Sequence, residues 1–372
     1  MNAKRLILAV AALYCAGLCM ADAAEPRVGS APVLDDRYPE RRTNFPGDVV
    51  GFADLTYASL AGYRPLILDL YKPASGAQPR PLVIYLHGGG WQSGHTRHSG
   101  AFEDWPGVLA SIAARGYVVA SVEYRLSGEA PFPAAVQDVK AAIQWLRAHA
   151  TQFGIDKSRA VVWGGSAGGQ LAALVGASCG AAALEPPSAA ANQRPEPGAA
   201  DQRAEPGAAG QRPQAAAASA TPAAVAPAAA ASSGESDCVQ GVVAWYGIFD
   251  FSELANQPMQ AGAPLDSRNR YLGCAPGKCS SAMLAAAGAI TYVDARDPPV
   301  LMIHGVNDHT VPIAQSRSYL AALRAKGVKA ELLEIPGVDH SFIGATPAAT
   351  RDASLRALNR SIEFIDATLK GT

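Results

Sequence analysis

Short apolar runs recur along the chain, separated by longer stretches in which apolar residues return every three or four positions. Leu82-Val83-Ile84-Tyr85-Leu86 and Tyr117-Val118-Val119-Ala120-Ser121-Val122 are nearly continuous apolar runs, the pattern of strands buried on both faces. Ala160-Val161-Val162, Val239 to Trp245, Pro299 to Ile303 and Ala330 to Ile335 read the same way. Val49 to Ala58 and Pro65 to Tyr71 differ: they partly alternate and flank Ala61-Gly62, as a sheet-edge hairpin would. Between the runs, Val136, Val139, Ile143 and Leu146 share one helical face, and so do Leu355, Leu358, Ile362 and Ile365. Further helices are expected over Phe102 to Arg115, from Gln170 to Val175, and over Ile313 to Lys326. Strands alternating with helices predict an α/β fold, with a mainly parallel sheet of about eight strands and right-handed crossovers. Active groups then belong beyond the carboxyl ends of the strands.

Two regions break the pattern. Lys4 and Arg5, the apolar stretch Leu6 to Cys19 and the small-residue site Ala21-Asp22-Ala23 read as a secretory signal peptide over residues 1–23. Residues 24–48, rich in Pro, Arg and Asp, are expected to form an extended arm leading into a domain over 49–372. That domain is interrupted at 181–237 by Ala, Pro, Gln, Arg and Gly, with one Leu, one Val and an imperfect repeat at Gln193, Gln202 and Gln211. Such a segment buries too little apolar area to offset its ordering entropy, and is expected to be a disordered insertion. The formal net charge of −1 argues against a nucleic-acid surface or polybasic membrane contact, and no later run is apolar enough to span a bilayer. A periplasmic or secreted location follows from the leader. Beyond it lie Cys179, Cys238, Cys274 and Cys279, an even set in an exported chain. Of the three possible pairings, Cys179 with Cys238 and Cys274 with Cys279 each close one local loop.

The chemistry centres on Trp163-Gly164-Gly165-Ser166-Ala167-Gly168-Gly169, between a strand and a helix. That context suits a Gly-x-Ser-x-Gly nucleophile elbow, which lifts the Ser166 hydroxyl above the sheet with a helix N-terminus behind it. A serine needs a base oriented by a carboxylate, and both should follow it in this order. Asp308, after the strand ending at Ile303, and His340, after the strand ending at Ile335, fit. Asp339 should point elsewhere because it neighbours His340, His309 reads as a loop residue, and His304 as a satisfied core histidine. Oxyanion donors are expected from the N–H groups of Gly89, Gly90 and Ala167, with Gly88 as a further candidate. Trp91 lines the pocket or packs under the glycine loop; Trp245, Tyr246 and Phe342 are pocket candidates. No phosphate loop, dinucleotide fingerprint or His-Glu-x-x-His pair is present, so neither a cofactor nor a metal is expected.

His87-Gly88-Gly89-Gly90-Trp91, Gly164 to Gly169, Ile303-His304-Gly305-Val306-Asn307-Asp308 and Gly337-Val338-Asp339-His340-Ser341-Phe342 together resemble the α/β-hydrolase superfamily. The resemblance is to its carboxylesterase branch, near the hormone-sensitive-lipase-like enzymes and the bacterial group of xylan deacetylases and feruloyl esterases. It implies a cofactor-free serine carboxylesterase acting on small or medium acyl esters, with Ser166 as nucleophile, His340 as base and Asp308 as its partner. The long polar insertion and the short N-terminal arm depart from the helical cap usual in the lipase-like group. Rival readings are a peptidase, amidase or arylformamidase of the same fold, and a non-catalytic interaction protein that kept it. The partner expected is a small-molecule ester; nothing in the sequence specifies an oligomeric state.

Overall fold

The computed structural model describes residues 41–60, 62–76, 79–187, 234–255 and 265–370. The expected leader, the arm up to residue 40 and residues 188–233 of the insertion lie outside them.

Nine strands form one sheet, one more than the sequence pattern suggests. They are β1 (Arg41–Phe45), β2 (Val49–Ala58), β3 (Leu66–Pro73), β4 (Arg80–Leu86), β5 (Val118–Val122), β6 (Ile155–Gly165), β7 (Gly241–Trp245), β8 (Val300–Gly305) and β9 (Ala330–Ile335). The extra strand is β1, taken from the expected arm. Its residues are almost all exposed, so no apolar alternation announces it. The spatial order is β1-β2-β3-β5-β4-β6-β7-β8-β9. The first three strands and the β3–β5 pair are antiparallel, and every pair from β5 to β9 is parallel. Short turns can join antiparallel neighbours, whereas parallel neighbours need the helical crossovers that fill the rest of the chain.

The helices are α1 (Trp105–Ala114), α2 (Ala134–Ala148), α3 (Ala150–Phe153), α4 (Ala167–Ala177), α5 (Phe251–Ala255), α6 (Leu265–Leu272), α7 (Ser281–Ala287), α8 (Ala314–Ala325) and α9 (Pro347–Lys370). Alternate residues of each central strand enter separate cores. Leu82, Ile84, Leu86 and Val162 pack with α2 and α4, while Val83, Tyr85, Val161 and Trp163 pack with α1 and α9. This two-sided burial is why β4 to β7 read as unbroken apolar runs. Among the described residues no helix is long and apolar enough to cross a membrane.

The neck of the insertion is ordered. Ala182–Leu184 make a single 3₁₀ turn with Leu184 buried. Cys179 and Cys238 are disulfide-bonded with Cα atoms 5.0 Å apart, and Cys274 pairs with Cys279 at 5.2 Å. The buried Lys140 of α2 reaches Glu185 at 2.7 Å, before the insertion, and Asp237 at 2.6 Å, after it. One ammonium and one disulfide therefore bring both ends of the insertion to the same place, and β6 and β7 pair across it as neighbours.

Candidate active site

Sheet register assembles the site. Leu86 at the end of β4 pairs with Gly164 of β6, and Gly165 pairs with Trp245 at the end of β7, so the loops that follow these strands meet. Ser166 occupies the turn between β6 and α4 at φ 56° and ψ −117°, a left-handed conformation that L residues rarely hold. The turn closes only because its flanks lack side chains. A Cβ on Gly168 would strike the carbonyls of Leu86 and His87, and one on Gly164 would strike that of Gly168. The Ser166 N–H donates to the Trp245 carbonyl at 2.9 Å, fixing the serine over the sheet.

Ser166, Asp308 and His340 come together as the sequence order suggests. Ser166 Oγ lies 2.9 Å from His340 Nε2, and His340 Nδ1 lies 2.8 Å from Asp308 Oδ2. Asp308 Oδ1 accepts from the Thr310 N–H at 2.9 Å and the Val311 N–H at 2.7 Å. Burial alone would raise its pKa; the hydrogen bonds from His304, His340 and the backbone outweigh this and hold it below the usual carboxylate range. An ionised Asp308 needs a hydrogen on Nδ1 of His340, which leaves Nε2 with the lone pair that faces the serine.

His304 is fully buried, with Nε2 2.9 Å from the Val311 carbonyl and 3.2 Å from Asp308 Oδ2. Ser316 Oγ stands 2.7 Å from its Nδ1. A carbonyl can only accept, so Nε2 carries the hydrogen and Nδ1 accepts from Ser316. The core histidine expected from sequence thus also buttresses Asp308, a role no local pattern reveals. Asp339 turns away as anticipated: it accepts from the His309 N–H at 2.8 Å and ring at 2.9 Å.

The other wall is the loop after β4. Gly89 and Gly90 hold φ of 109° and 61°, and Trp91 follows at 57°. Among the described residues none accepts a hydrogen bond from the N–H of Gly89, Gly90 or Ala167. All three residues border the cleft that also holds Ser166. His87 is buried beneath the loop, its Nδ1 donating to the Gly88 carbonyl at 2.8 Å and its ring stacked on Tyr124 at 4.4 Å. Burial pushes the His87 imidazole down to about 4, so it stays neutral near neutral pH.

The four aromatic candidates divide. Trp91 does both things expected of it: it borders the cleft, and it stacks on Tyr271 at 4.3 Å while its Nε1–H donates to Gln170 at 3.1 Å. Tyr246 also lines the cleft, its ring edge-on to His340 at 4.8 Å. Trp245 and Phe342 do not line it. Trp245 is buried in the core between the sheet and α9, T-shaped against Trp163 at 4.8 Å and hydrogen-bonded to Ser361 at 2.9 Å. Phe342 is turned in against Trp245 and Tyr246 at 5.4 and 4.7 Å. The strand's alternation sends Trp245 inward, and the change of backbone direction at Tyr246, φ 37°, brings only that ring to the cleft.

The cleft has a volume of about 920 Å³ and is bordered by the glycine loop, the Ser166 turn, the loops carrying His309 and His340, and α6 through Ser267 and Arg268. Neither α6 residue was singled out from sequence, because α6 lies in the irregular stretch after β7, where no motif marks it.

Comparison with known proteins agrees with this architecture. Esterase LipQ of Mycobacterium tuberculosis is 27% identical over 305 residues, covering 80% of this chain and 59% of LipQ. Esterase LipC of the same organism is 29% identical over 299 residues, covering 79% of this chain and 62% of LipC. The chain thus spans less than two thirds of either relative's length. A truncated carbohydrate esterase from gut microbiota superposes with a TM-score of 0.61 at 21% identity, covering 86% of this chain and 96% of the other. The thermophilic esterase Est2 of the planctomycete Thermogutta terrifontis superposes with a TM-score of 0.57 at 24% identity, covering 86% and 92%. At these identities the structural likeness is one of fold, the α/β-hydrolase fold. The BD-FAE family profile matches residues 68–201 and 215–323, from β3 through most of α8, and on that match this α/β-hydrolase chain belongs to the BD-FAE family.

Proposed function

We propose that this chain is an exported serine carboxylesterase hydrolysing small to medium acyl esters. The observation that carries the reading is the unbroken hydrogen-bond path from Ser166 through His340 to Asp308, beside backbone N–H groups that have no acceptor among the described residues. The relatives named esterase support it. Ser166 Oγ attacks the ester carbonyl while His340 Nε2 takes its proton. Asp308 holds the Nδ1–H and stabilises the imidazolium. The N–H groups of Gly89, Gly90 and Ala167 receive the developing oxyanion, aided by the positive end of α4. His340 then returns the proton to the leaving alcohol, and a water activated by the same nitrogen releases the acid. Trp91 and Tyr246 shape the cleft. Export rests on the leader-like N-terminus and fits the two disulfides, which persist in oxidising compartments.

The test is hydrolysis of a chromogenic ester series, from acetate to laurate with a feruloyl ester, by wild type and Ser166→Ala. Turnover that depends on Ser166 supports the reading, and the chain-length optimum sizes the pocket. A folded wild type inert on every ester, or one as active without Ser166, overturns it.

A further inference from the structure

The carbonyls of the loop after β4 are held by donors, one after another. The Tyr124 hydroxyl donates to the His87 carbonyl at 2.8 Å, and His87 Nδ1 to that of Gly88 at 2.8 Å. The Gly89 carbonyl accepts from the N–H groups of Gln92 at 3.1 Å and Ser93 at 3.2 Å. In a planar trans peptide the C=O and the next residue's N–H point in opposite directions. Among the described residues the only cis bond is Phe132–Pro133, so each of these donors also aims the N–H that follows. Fixing the carbonyls of His87, Gly88 and Gly89 thus directs the N–H groups of Gly88, Gly89 and Gly90, which border the cleft beside Ser166. Glycine makes this steering necessary. Without a Cβ the backbone takes either sign of φ readily, and Gly89 and Gly90 sit at positive φ.

Tyr124 controls two of the three. Its hydroxyl holds the His87 carbonyl directly. Its ring, stacked on His87 at 4.4 Å, holds the imidazole where Nδ1 meets the Gly88 carbonyl. Tyr124 is fully buried, and burial raises its pKa well above the ordinary tyrosine value, so the hydroxyl keeps its hydrogen and stays a donor. Its own place is fixed. It follows β5, and the next residue, Arg125, binds Asp138 of α2 through Nε at 2.8 Å, Nη2 at 2.7 Å and its backbone N–H at 2.9 Å, with both side chains fully buried. Tyr124 does not line the cleft, so it acts on the reaction only through the loop.

We propose that Tyr124 is a positioning residue of the oxyanion hole, holding the His87 peptide and ring so that the N–H groups of Gly88 and Gly89 aim at the ester oxygen as it gains charge. The inference rests on the serine-esterase reading above and adds to it a residue that never touches substrate. Without the hydroxyl, the His87 carbonyl loses a buried partner. A tilt of that carbonyl carries the Gly88 N–H with it, because the two share one rigid plane, and shifts Gly89 through the chain.

Tyr124→Phe tests it, since the variant keeps the ring and removes only the donor. With 4-nitrophenyl butyrate, kcat should fall about tenfold while KM stays near the wild-type value; losing a donor outright costs more, about a hundredfold or above. A pair of inhibitors separates aim from packing. Ser166 Oγ adds to the carbonyl carbon of 1,1,1-trifluoro-2-octanone, its proton passes to His340, and the carbonyl oxygen becomes an oxyanion in the hole; 2-octanone binds without adding. In Tyr124→Phe the inhibition constant of the trifluoromethyl ketone should rise by the same factor as kcat falls, and that of 2-octanone should not move. The pH profile of kcat should keep its wild-type midpoint, since Asp308 and His340 are untouched. Should Tyr124→Phe fail to fold, Tyr124→Met, which fills the space with an apolar chain and cannot donate, is measured in the same way. A lower thermal midpoint with kcat unchanged overturns the proposal, as do equal losses for both ketones or a displaced pH profile, and each leaves the esterase reading intact. Absence of Ser166-dependent turnover in wild type removes both.

Discussion

On one side of Ser166, Asp308 and His340 are fixed by directional polar contacts, six of them converging on Asp308, His340 and His304 at 2.7 to 3.2 Å. On the other side the polar contacts of the loop from His87 to Trp91 go mostly to its own backbone: the Tyr124 hydroxyl donates to the His87 carbonyl at 2.8 Å and the Ser127 N–H to the Trp91 carbonyl at 2.7 Å. Glycines at positive φ shape it, and stacked rings, His87 on Tyr124 and Trp91 on Tyr271, hold it. Polar contacts of the first kind set protonation and direction, so substitutions there should remove chemistry and spare the fold. Close backbone approach of the second kind is part of the packing, so substitutions there should remove stability first.

The largest effect expected is from Ser166→Ala, about a millionfold in kcat with the thermal midpoint little changed. A midpoint that falls with the activity would break the comparison. Asp308→Asn should follow, at about ten thousandfold in kcat, since the amide no longer favours the Nδ1–H tautomer of His340; circular dichroism should find the fold intact. Gly168→Ala belongs to the other class. Its methyl would meet the backbone carbonyls of Leu86 and His87, and denaturant unfolding should show a loss of about 3 kcal/mol.

Acid should separate the walls by pH window. His87, neutral in the fold and held at about 4, is protonated in the unfolded chain below its ordinary value of about 6.5. The unfolded state then binds the extra proton, so stability falls between those values, by about 2–3 kcal/mol, and levels off below. Asp308 is depressed instead, so its contribution is full above the ordinary carboxylate pKa and is lost as pH falls further. Thermal scans should show His87→Asn flattening the upper window and Asp308→Asn the lower. If both variants flatten the same window, the separation fails. Trp91→Phe is the mildest change. It keeps the stacking and leaves Gln170 Oε1 without its donor, for about 1 kcal/mol in chemical unfolding. A much larger loss would mean the loop depends on that hydrogen bond more than on its rings.

Much of this was legible in the residues. The Gly-x-Ser-x-Gly turn, the glycine loop and the order of Asp308 and His340 are local patterns, because each records a backbone constraint or a strand end. The cysteine pairing was favoured from loop closure alone, and the structure has it. Other features left no mark. Strand β1 is polar and exposed, so hydrophobic patterning does not see it. Trp245 and Phe342 looked like pocket residues because they end loops, yet which face each ring takes depends on one or two backbone dihedrals. Arg268 and Tyr271 lie on α6, whose partner Trp91 is far away along the chain.

By itself, the sequence determined the alternation of strands and helices, the strained serine turn and the chemical kinds of group at the strand ends. Those follow from side-chain burial and glycine sterics acting over a few neighbouring residues. The tertiary structure decided which groups meet. Sheet order put β4 beside β6 and β8 beside β9, the clamp of Lys140 and Cys179–Cys238 let β7 pair with β6 across the insertion, and α6 brought a cation to the cleft. Such meetings depend on long-range pairing and packing, which no local periodicity encodes.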